Sequence, residues 1–350
     1  MADGGARAAL RVSNLALQGG GSHGAFTWGV LDALLEDGRI DFEGASGTSA
    51  GAMNAVVLAH GLARAHADGL RGQDKKEAAR HALSRFWEGV GLMGTFMAGV
   101  PLPAAQAFGA WFSQWFSPYQ SNPLGLNPLR TLLLREVDFD LLARQRQMKV
   151  FVTATNVRTG RGEVFSGKRL SCASVMASAC LPTLFQAVEI DGEHYWDGGY
   201  SGNPAIYPLI YDTSSADMIL VQINPIESNY KPGASAADIA ERVNEITFNA
   251  PLLAEVRAIE FVARLLAEGK LDDQRYKNVL LHRVDGGAAL AEFGAASKAR
   301  ADAAFLRRLF DLGRTAGQAW LAEHFDDLGV RSSVEKLRHT QVPVKPTAAS

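Results

Sequence analysis

Cysteine is nearly absent: Cys172 and Cys180 are the two in 350 residues. Two thiols cannot build a disulfide scaffold. No histidine lies within ten residues of either, so a zinc site built on them is excluded. Such sparse cysteine reads as an intracellular chain. The first ten residues hold an acid at position 3 and no sustained apolar run, so no signal peptide is expected there. No run of ~18 apolar residues qualifies as a membrane-spanning helix. A net field is missing too. The 35 basic and 37 acidic residues leave −2 at neutral pH, which gives no global attraction for nucleic acid or an anionic bilayer. No internal repeat occurs. With 47% hydrophobic and 21% charged residues, the chain is neither disordered nor fibrous. The expectation is a cytoplasmic globular protein with no nucleic-acid partner.

Glycine, in contrast, is plentiful: 35 residues, about a tenth of the chain, against a usual ~7%. It falls where turns are needed. Asn14–Leu17 is a short apolar run ended by Gln18 and Gly19-Gly20-Gly21, the pattern of a buried strand and a sharp turn. Phe26, Gly29, Val30, Ala33 and Leu34 follow at helical spacing, and Asp37-Gly38 stops them. Residues 40–46 make a weaker strand, and 52–60 reads as a helix. The first sixty residues are therefore strand–turn–helix, twice. Residues 63–88 are charged and helical in pattern. Lys149–Asn156 is a strand by its β-branched content. Residues 188–190 and 193–196 flank Asp191-Gly192 as a hairpin. Met218–Asn224 is another buried strand. Beyond Ala236 the pattern is mostly helical, with Leu306, Leu309, Phe310, Gly313, Gly317, Trp320 and Leu321 on one face of the last long helix. This alternation predicts a three-layer α/β/α fold with a largely parallel central sheet plus C-terminal helices.

Three short elements carry chemistry. Gly47-Thr48-Ser49-Ala50-Gly51 lies between a strand and a helix. A nucleophilic serine needs such a strained turn, and the helix start supplies free N–H groups and a positive dipole end. Gly19-Gly20-Gly21-Ser22-His23-Gly24 also joins a strand to a helix. Its spacing fits dinucleotide binding, but no acidic residue closes a second strand as a ribose partner. Its other reading is an oxyanion hole of consecutive backbone N–H groups. Two such turns on neighbouring strands suit acyl transfer better than a cofactor. His23 is favoured as a polar rim residue over a base.

The serine needs a base. His194, His282, His324 and His339 occupy no turn that resembles a triad loop. Asp197 is better placed: it ends a hairpin strand, and Gly198 and Gly199 let the backbone approach closely. A carboxylate in a dry site is basic enough to take the proton. Asp285-Gly286-Gly287 repeats the tripeptide without the hairpin and is read as a turn.

Together, Gln18-Gly-Gly-Gly-Ser-His-Gly24, Gly47-Thr-Ser-Ala-Gly51 and Asp197-Gly-Gly199 resemble the patatin-like phospholipase family in order and spacing. Residues 177–185 are similar to that family's approach to its aspartate. The resemblance covers roughly residues 14–211. It implies a lipid acyl hydrolase with a Ser–Asp dyad: Ser49 as nucleophile, Asp197 as general base, the backbone of Gly19, Gly20 and Gly21 as oxyanion hole, and Gly24, Gly47, Gly51, Gly198 and Gly199 as motif support. No metal or cofactor is implied. Many members carry Arg or Lys where this sequence has His23. Without a fixed positive charge there, a neutral or lysophospholipid ester is as plausible as a phospholipid. The division that follows is a flexible arm over 1–13, a catalytic domain over 14–211, a sheet-completing strand and helical extension over 212–338, and a disordered tail over 339–350.

Residues 89–129 hold no charge. Phe108, Trp111, Phe112, Trp115 and Phe116 there are candidates for an acyl pocket or a lid at a lipid interface, with core packing or a subunit contact as the alternative. No basic face accompanies them, which weakens membrane docking. Cys172 and Cys180 read as small buried packing residues. Lys298 and Arg300 read as solvated surface. The partners expected are a lipid acyl ester, a transient membrane-surface contact and, through the C-terminal helices, an oligomer. The rivals are an acyl transacylase with a Ser–His pair through His282, and a non-catalytic nucleotide- or lipid-binding protein.

Overall fold

The computed structural model describes residues 10–98, 127–226, 236–293 and 295–334. The aromatic group Phe108–Phe116, the tail over 339–350 and the first nine residues of the arm lie outside the described residues.

Among the described residues, eight strands form one sheet: β1 (Arg11–Leu17), β2 (Ile40–Gly47), β3 (Lys149–Asn156), β4 (Gly162–Ser166), β5 (Val188–Ile190), β6 (Glu193–Asp197), β7 (Asp217–Gln222) and β8 (Leu280–Asp285). Their order is β5-β6-β3-β2-β1-β7-β8, with β4 beside β3. β3, β2, β1, β7 and β8 pair in parallel; β4 and β6 pair antiparallel with β3, and β5 pairs antiparallel with β6. β1 starts at Arg11, three residues earlier than the apolar run suggests, because Arg11–Ser13 pair with Ile40–Phe42. Asp191 and Gly192 both take positive φ (53° and 80°) in the turn between β5 and β6, the geometry expected of an Asp-Gly hairpin.

The helices are α1 (Gly24–Asp37), α2 (Ala50–Ala67), α3 (Gly72–Ala98), α4 (Pro128–Glu136), α5 (Phe139–Arg144), α6 (Cys172–Ser178), α7 (Tyr207–Asp212), α8 (Ala236–Ala267), α9 (Gly287–Ala291) and α10 (Ala303–His324). Side chains alternate across the strands. Leu15, Leu17, Val150, Val152, Ile219 and Val221 face one core with α1, α2, α3 and α10. Ala16, Phe151, Met218 and Leu220 face the other, with α7 and α8. The architecture is thus the expected α/β/α sandwich with a mostly parallel sheet.

The last long helix belongs to this core. Its buried face is the one expected, extended by Phe305. α10 lies so close to α1 that a Cβ on Gly29 would meet the Phe310 carbonyl at 2.0 Å, and one on Gly313 would meet the Phe26 carbonyl at 2.0 Å. Asp32 of α1 accepts ion pairs from Arg80 of α3 and Arg314 of α10. Among the described residues no helix is long and apolar enough to cross a membrane.

Candidate active site

Ser49 sits between the end of β2 and the start of α2 with φ 54° and ψ −121°. That conformation costs a residue with a Cβ on the order of 1–3 kcal/mol and needs a surrounding structure that enforces it. The enforcement is visible. The Gly51 N–H donates to the Thr48 carbonyl at 2.8 Å, and the Thr48 hydroxyl donates to the Gly202 carbonyl at 2.6 Å. The Ser49 N–H donates to Ser178 Oγ at 2.9 Å. A Cβ on Gly51 would lie 2.1 Å from the Leu17 carbonyl, and one on Gly47 would lie 2.4 Å from the Gly51 carbonyl. The turn closes this tightly because both flanking positions lack side chains.

Asp197 reaches the same place through the sheet. Phe151 and Val152 of β3 pair with β2 on one edge and β4 on the other. Two residues on, Ala154 and Thr155 pair with β6 and again β4. β6 therefore takes over the edge that β2 leaves at Gly47, and its last residue, Asp197, arrives where Ser49 begins α2. Gly198 continues past Thr48, where a Cβ would meet the Thr153 carbonyl at 2.0 Å. The Asp197 carboxylate is 1% exposed. It accepts a hydrogen bond from the Gly199 N–H at 2.7 Å, and the Ser49 hydroxyl beside it acts as a second donor group that lowers its pKa. Burial pushes its pKa up from 3.8 to about 7, and these two donors only partly offset the desolvation.

The glycine loop is held by buried amide side chains. Gln18 Oε1 accepts from the Ile223 and Asn224 N–H groups at 2.9 Å each, and its Nε2 donates to Asn249 of α8 at 3.2 Å. Asn224 Nδ2 donates to the Gly19 carbonyl at 2.7 Å. The Gly19 N–H donates to Asn203 Oδ1 at 2.6 Å. Of the three glycines expected as oxyanion donors, Gly19 therefore has its amide engaged. The Gly20 and Gly21 amides have no acceptor among the described residues. Gly21 has φ 58°, which favours glycine. Gly24 opens α1 against Ala50 of the serine turn.

The histidines lie elsewhere. His282 is fully buried in β8, with Nε2 2.9 Å from Asp217 Oδ1 and Nδ1 3.2 Å from Ser333 Oγ. Three strand spacings separate β8 from β2, roughly 14 Å at ~4.8 Å each. His194 is exposed, on the face of β6 opposite Asp197. His324 pairs with Asp327. His339 is outside the described residues. His23 is buried beside Phe293 and Phe305, with Nε2 2.7 Å from Ser297 Oγ. Burial, helped by the charge of Lys298, lowers its pKa to about 4, so it is neutral at physiological pH. It lines the loop from inside the protein, not from a polar rim. β2 ends in Ser46-Gly47, with no carboxylate for a ribose.

Sequence reasoning missed Asn203, Ser178, Asn224 and Lys298. Asn203 and Asn224 are single amides without a motif, drawn in from up to 205 residues away, and Ser178 lies in the stretch 177–185 without having been given a role. Lys298, expected at the solvated surface, is half-buried, and its ammonium donates to Asn224 Oδ1 at 2.9 Å. Cys172 and Cys180 are buried free thiols, and the Cys180 carbonyl accepts from the Asp197 N–H at 2.8 Å.

With the serine turn, the buried aspartate and the glycine loop in place, the family can be stated. The model of the patatin-like phospholipase family matches residues 15–210, more than half of the chain. The chain belongs to that family, which supports a lipid ester hydrolase. Among solved structures, VipD from Legionella pneumophila is similar at 15% identity over 85% of this chain and 66% of its own, with a TM-score of 0.33. Full-length ExoU from the type III secretion system of Pseudomonas aeruginosa, solved in complex with SpcU, is similar at 14% identity over 86% of this chain and 53% of its own, with a TM-score of 0.28. The chain thus spans less than two thirds of either. No match was found among curated proteins.

Proposed function

We propose that the protein hydrolyses carboxylic esters of lipids through a covalent acyl-enzyme on Ser49, with Asp197 as the sole general base. The observation that carries this is the buried Asp197 carboxylate beside the Ser49 hydroxyl, with its basicity raised to near neutral pH.

Ser49 Oγ attacks the ester carbonyl carbon, and its proton passes to Asp197. The carbonyl oxygen becomes an oxyanion facing the Gly20 and Gly21 amides, with the start of α2 adding the positive end of its dipole. Asp197 returns the proton to the departing alkoxide, which leaves as the alcohol. A water then gives its proton to Asp197, attacks the acyl carbon, and releases the fatty acid while Ser49 regains a proton. The Gly199 N–H holds the carboxylate in place throughout. The Asn203 and Asn224 side chains fix Gly19, so the loop does not reorganise as charge develops.

The test is hydrolysis of p-nitrophenyl esters from short to long acyl chains, wild type beside Ser49→Ala. Turnover that vanishes with Ser49→Ala supports the reading. Turnover that persists, or is absent at every length, contradicts it.

A further inference from the structure

The first turns of α2 carry a polar side chain that the chemistry above does not use. Asn54 lies four residues beyond Ala50, so the two share a helix face. It is 0% exposed and is the one polar side chain in the run Ala50–Ala59. Both of its amide hydrogens are bonded: Nδ2 donates to the Gly24 carbonyl at 3.0 Å and to the Ala50 carbonyl at 3.1 Å. Its Oδ1 accepts from Trp87 Nε1 of α3 at 2.9 Å. The indole fixes which way the amide points. Turned over, the amide would set its oxygen against two carbonyls and its N–H groups against the indole N–H.

These partners belong to the two turns of the site. Gly24 closes the glycine loop and opens α1, and Ala50 follows Ser49 and opens α2. A Cβ on Gly24 would meet Ala50 Cβ at 2.6 Å and Trp87 Cη2 at 2.9 Å. Asn54 therefore ties the helix behind the Gly20 and Gly21 amides to the turn that bears the serine. Packing alone does not call for an amide here. A leucine fills nearly the same space, and a buried amide costs its desolvation unless every group is bonded. What the three bonds add is a fixed spacing between two helix starts.

We infer that Asn54 is a positioning residue for the ester hydrolysis: through Gly24 and Ala50 it sets the spacing between the oxyanion loop and Ser49, with Trp87 holding its amide in place. This rests on the reading of Ser49 as the nucleophile. The serine turn and Asp197 are held from the other side, by Ser178, Gly202 and Gly199. Loss of Asn54 should thus leave the base as it is and loosen the grip on the oxyanion. A misplacement of about 1 Å there costs up to roughly a hundredfold in rate.

The probes are p-nitrophenyl octanoate, octyl trifluoromethyl ketone and the matching octyl trifluoromethyl carbinol. Ser49 Oγ adds to the ketone carbon, its proton passes to Asp197, and the carbonyl oxygen becomes an oxyanion, with no group leaving. The carbinol binds without that step. Asn54→Leu should lower kcat on the ester at least about tenfold with KM nearly unchanged. The acid limb should still bend near pH 7. Ketone affinity should fall by a similar factor, and carbinol affinity should hold. Trp87→Phe leaves Asn54 in place, removes the donor to Oδ1, and should show the same pattern at a smaller, several-fold size. A merely structural role lowers the active fraction and leaves the ketone-to-carbinol ratio as it was. An unchanged ratio in Asn54→Leu, or a bend displaced from pH 7, overturns the inference. If Asn54→Leu does not fold, the ratio in Trp87→Phe decides it alone. A wild type that neither turns over the ester nor prefers ketone to carbinol removes the hydrolase reading and this inference with it. A wild type that prefers the ketone, matched by its variants, removes this inference only.

Discussion

Asp197 pairs with Ala154 on the edge of β3 where, two residues earlier, Val152 pairs with Gly47. This hand-over joins two parts of the chain separated by about 150 residues, as the site needs. Ser49 is delivered by a parallel strand and Asp197 by an antiparallel hairpin, and they meet because one strand serves both. The catalytic proposal depends on this edge and on how dry it is.

The first expectation concerns pH. Asp197 must be ionised to accept the serine proton, and its pKa is raised to about 7. The acid limb of kcat/KM on a neutral p-nitrophenyl ester should rise tenfold per pH unit and bend near pH 7, well above an ordinary carboxylate. A bend at pH 4, or a flat profile from pH 5 to 9, contradicts the assignment.

The same shift bears on stability. A carboxyl with a folded pKa above its unfolded value binds more protons when folded, so stability falls as pH rises between about 4 and 7. Asp197→Asn removes the buried charge. Its unfolding free energy should gain on that of wild type as pH rises, by roughly 2–3 kcal/mol more at pH 8 than at pH 5, with the thermal midpoint moving in the same direction. Activity should fall severely at both. Melting curves at the two pH values check the sign, and a gap that shrinks with pH refutes the buried-carboxylate account.

Gly198 and Gly192 separate close approach from turn geometry. A methyl group at Gly198 meets the Thr153 carbonyl at 2.0 Å, while Gly192 has open space and a φ of 80°. Gly198→Ala should displace Asp197, remove most activity and cost roughly 1–3 kcal/mol or more. Gly192→Ala should cost about 1–2 kcal/mol from backbone strain with activity largely kept. Equal activity in the two variants contradicts the claim that Gly198 sets the position of Asp197.

The family match ends at residue 210, yet β7 pairs with β1 and α10 packs on α1. A chain ended at Tyr211 loses β7, β8, α8 and α10, exposing one edge of β1 and the apolar faces of α1 and of the sheet. It should show no cooperative unfolding transition by circular dichroism. A sharp transition from that fragment contradicts an integral C-terminal half.

Much of this was legible in the residues. Asp191-Gly192 announced its hairpin because an Asp-Gly pair accepts two positive φ angles. The glycines around Ser49 and after Asp197 announced close approach, and the apolar spacing from Leu306 to Leu321 announced the buried face of α10. What stayed hidden was pairing at long range. Nothing local marks Asn203 as the acceptor for Gly19, or Lys298 as a neighbour of Gly21, since one amide or one lysine is common on any surface. Strand order was hidden for the same reason, and with it the distance that removes His282 from the serine. Its buried pairing with Asp217 is a structural contact between β7 and β8.

The central claim is that Asp197 activates Ser49. It is tested most directly by intact-mass and peptide analysis after exposure to a fluorophosphonate, which phosphonylates an activated serine. Wild type should gain one adduct, mapped to Ser49, at a rate that rises through pH 7. Asp197→Asn should react at least a hundredfold more slowly while remaining folded. An adduct on another residue, or equal rates in wild type and Asp197→Asn, would contradict the account.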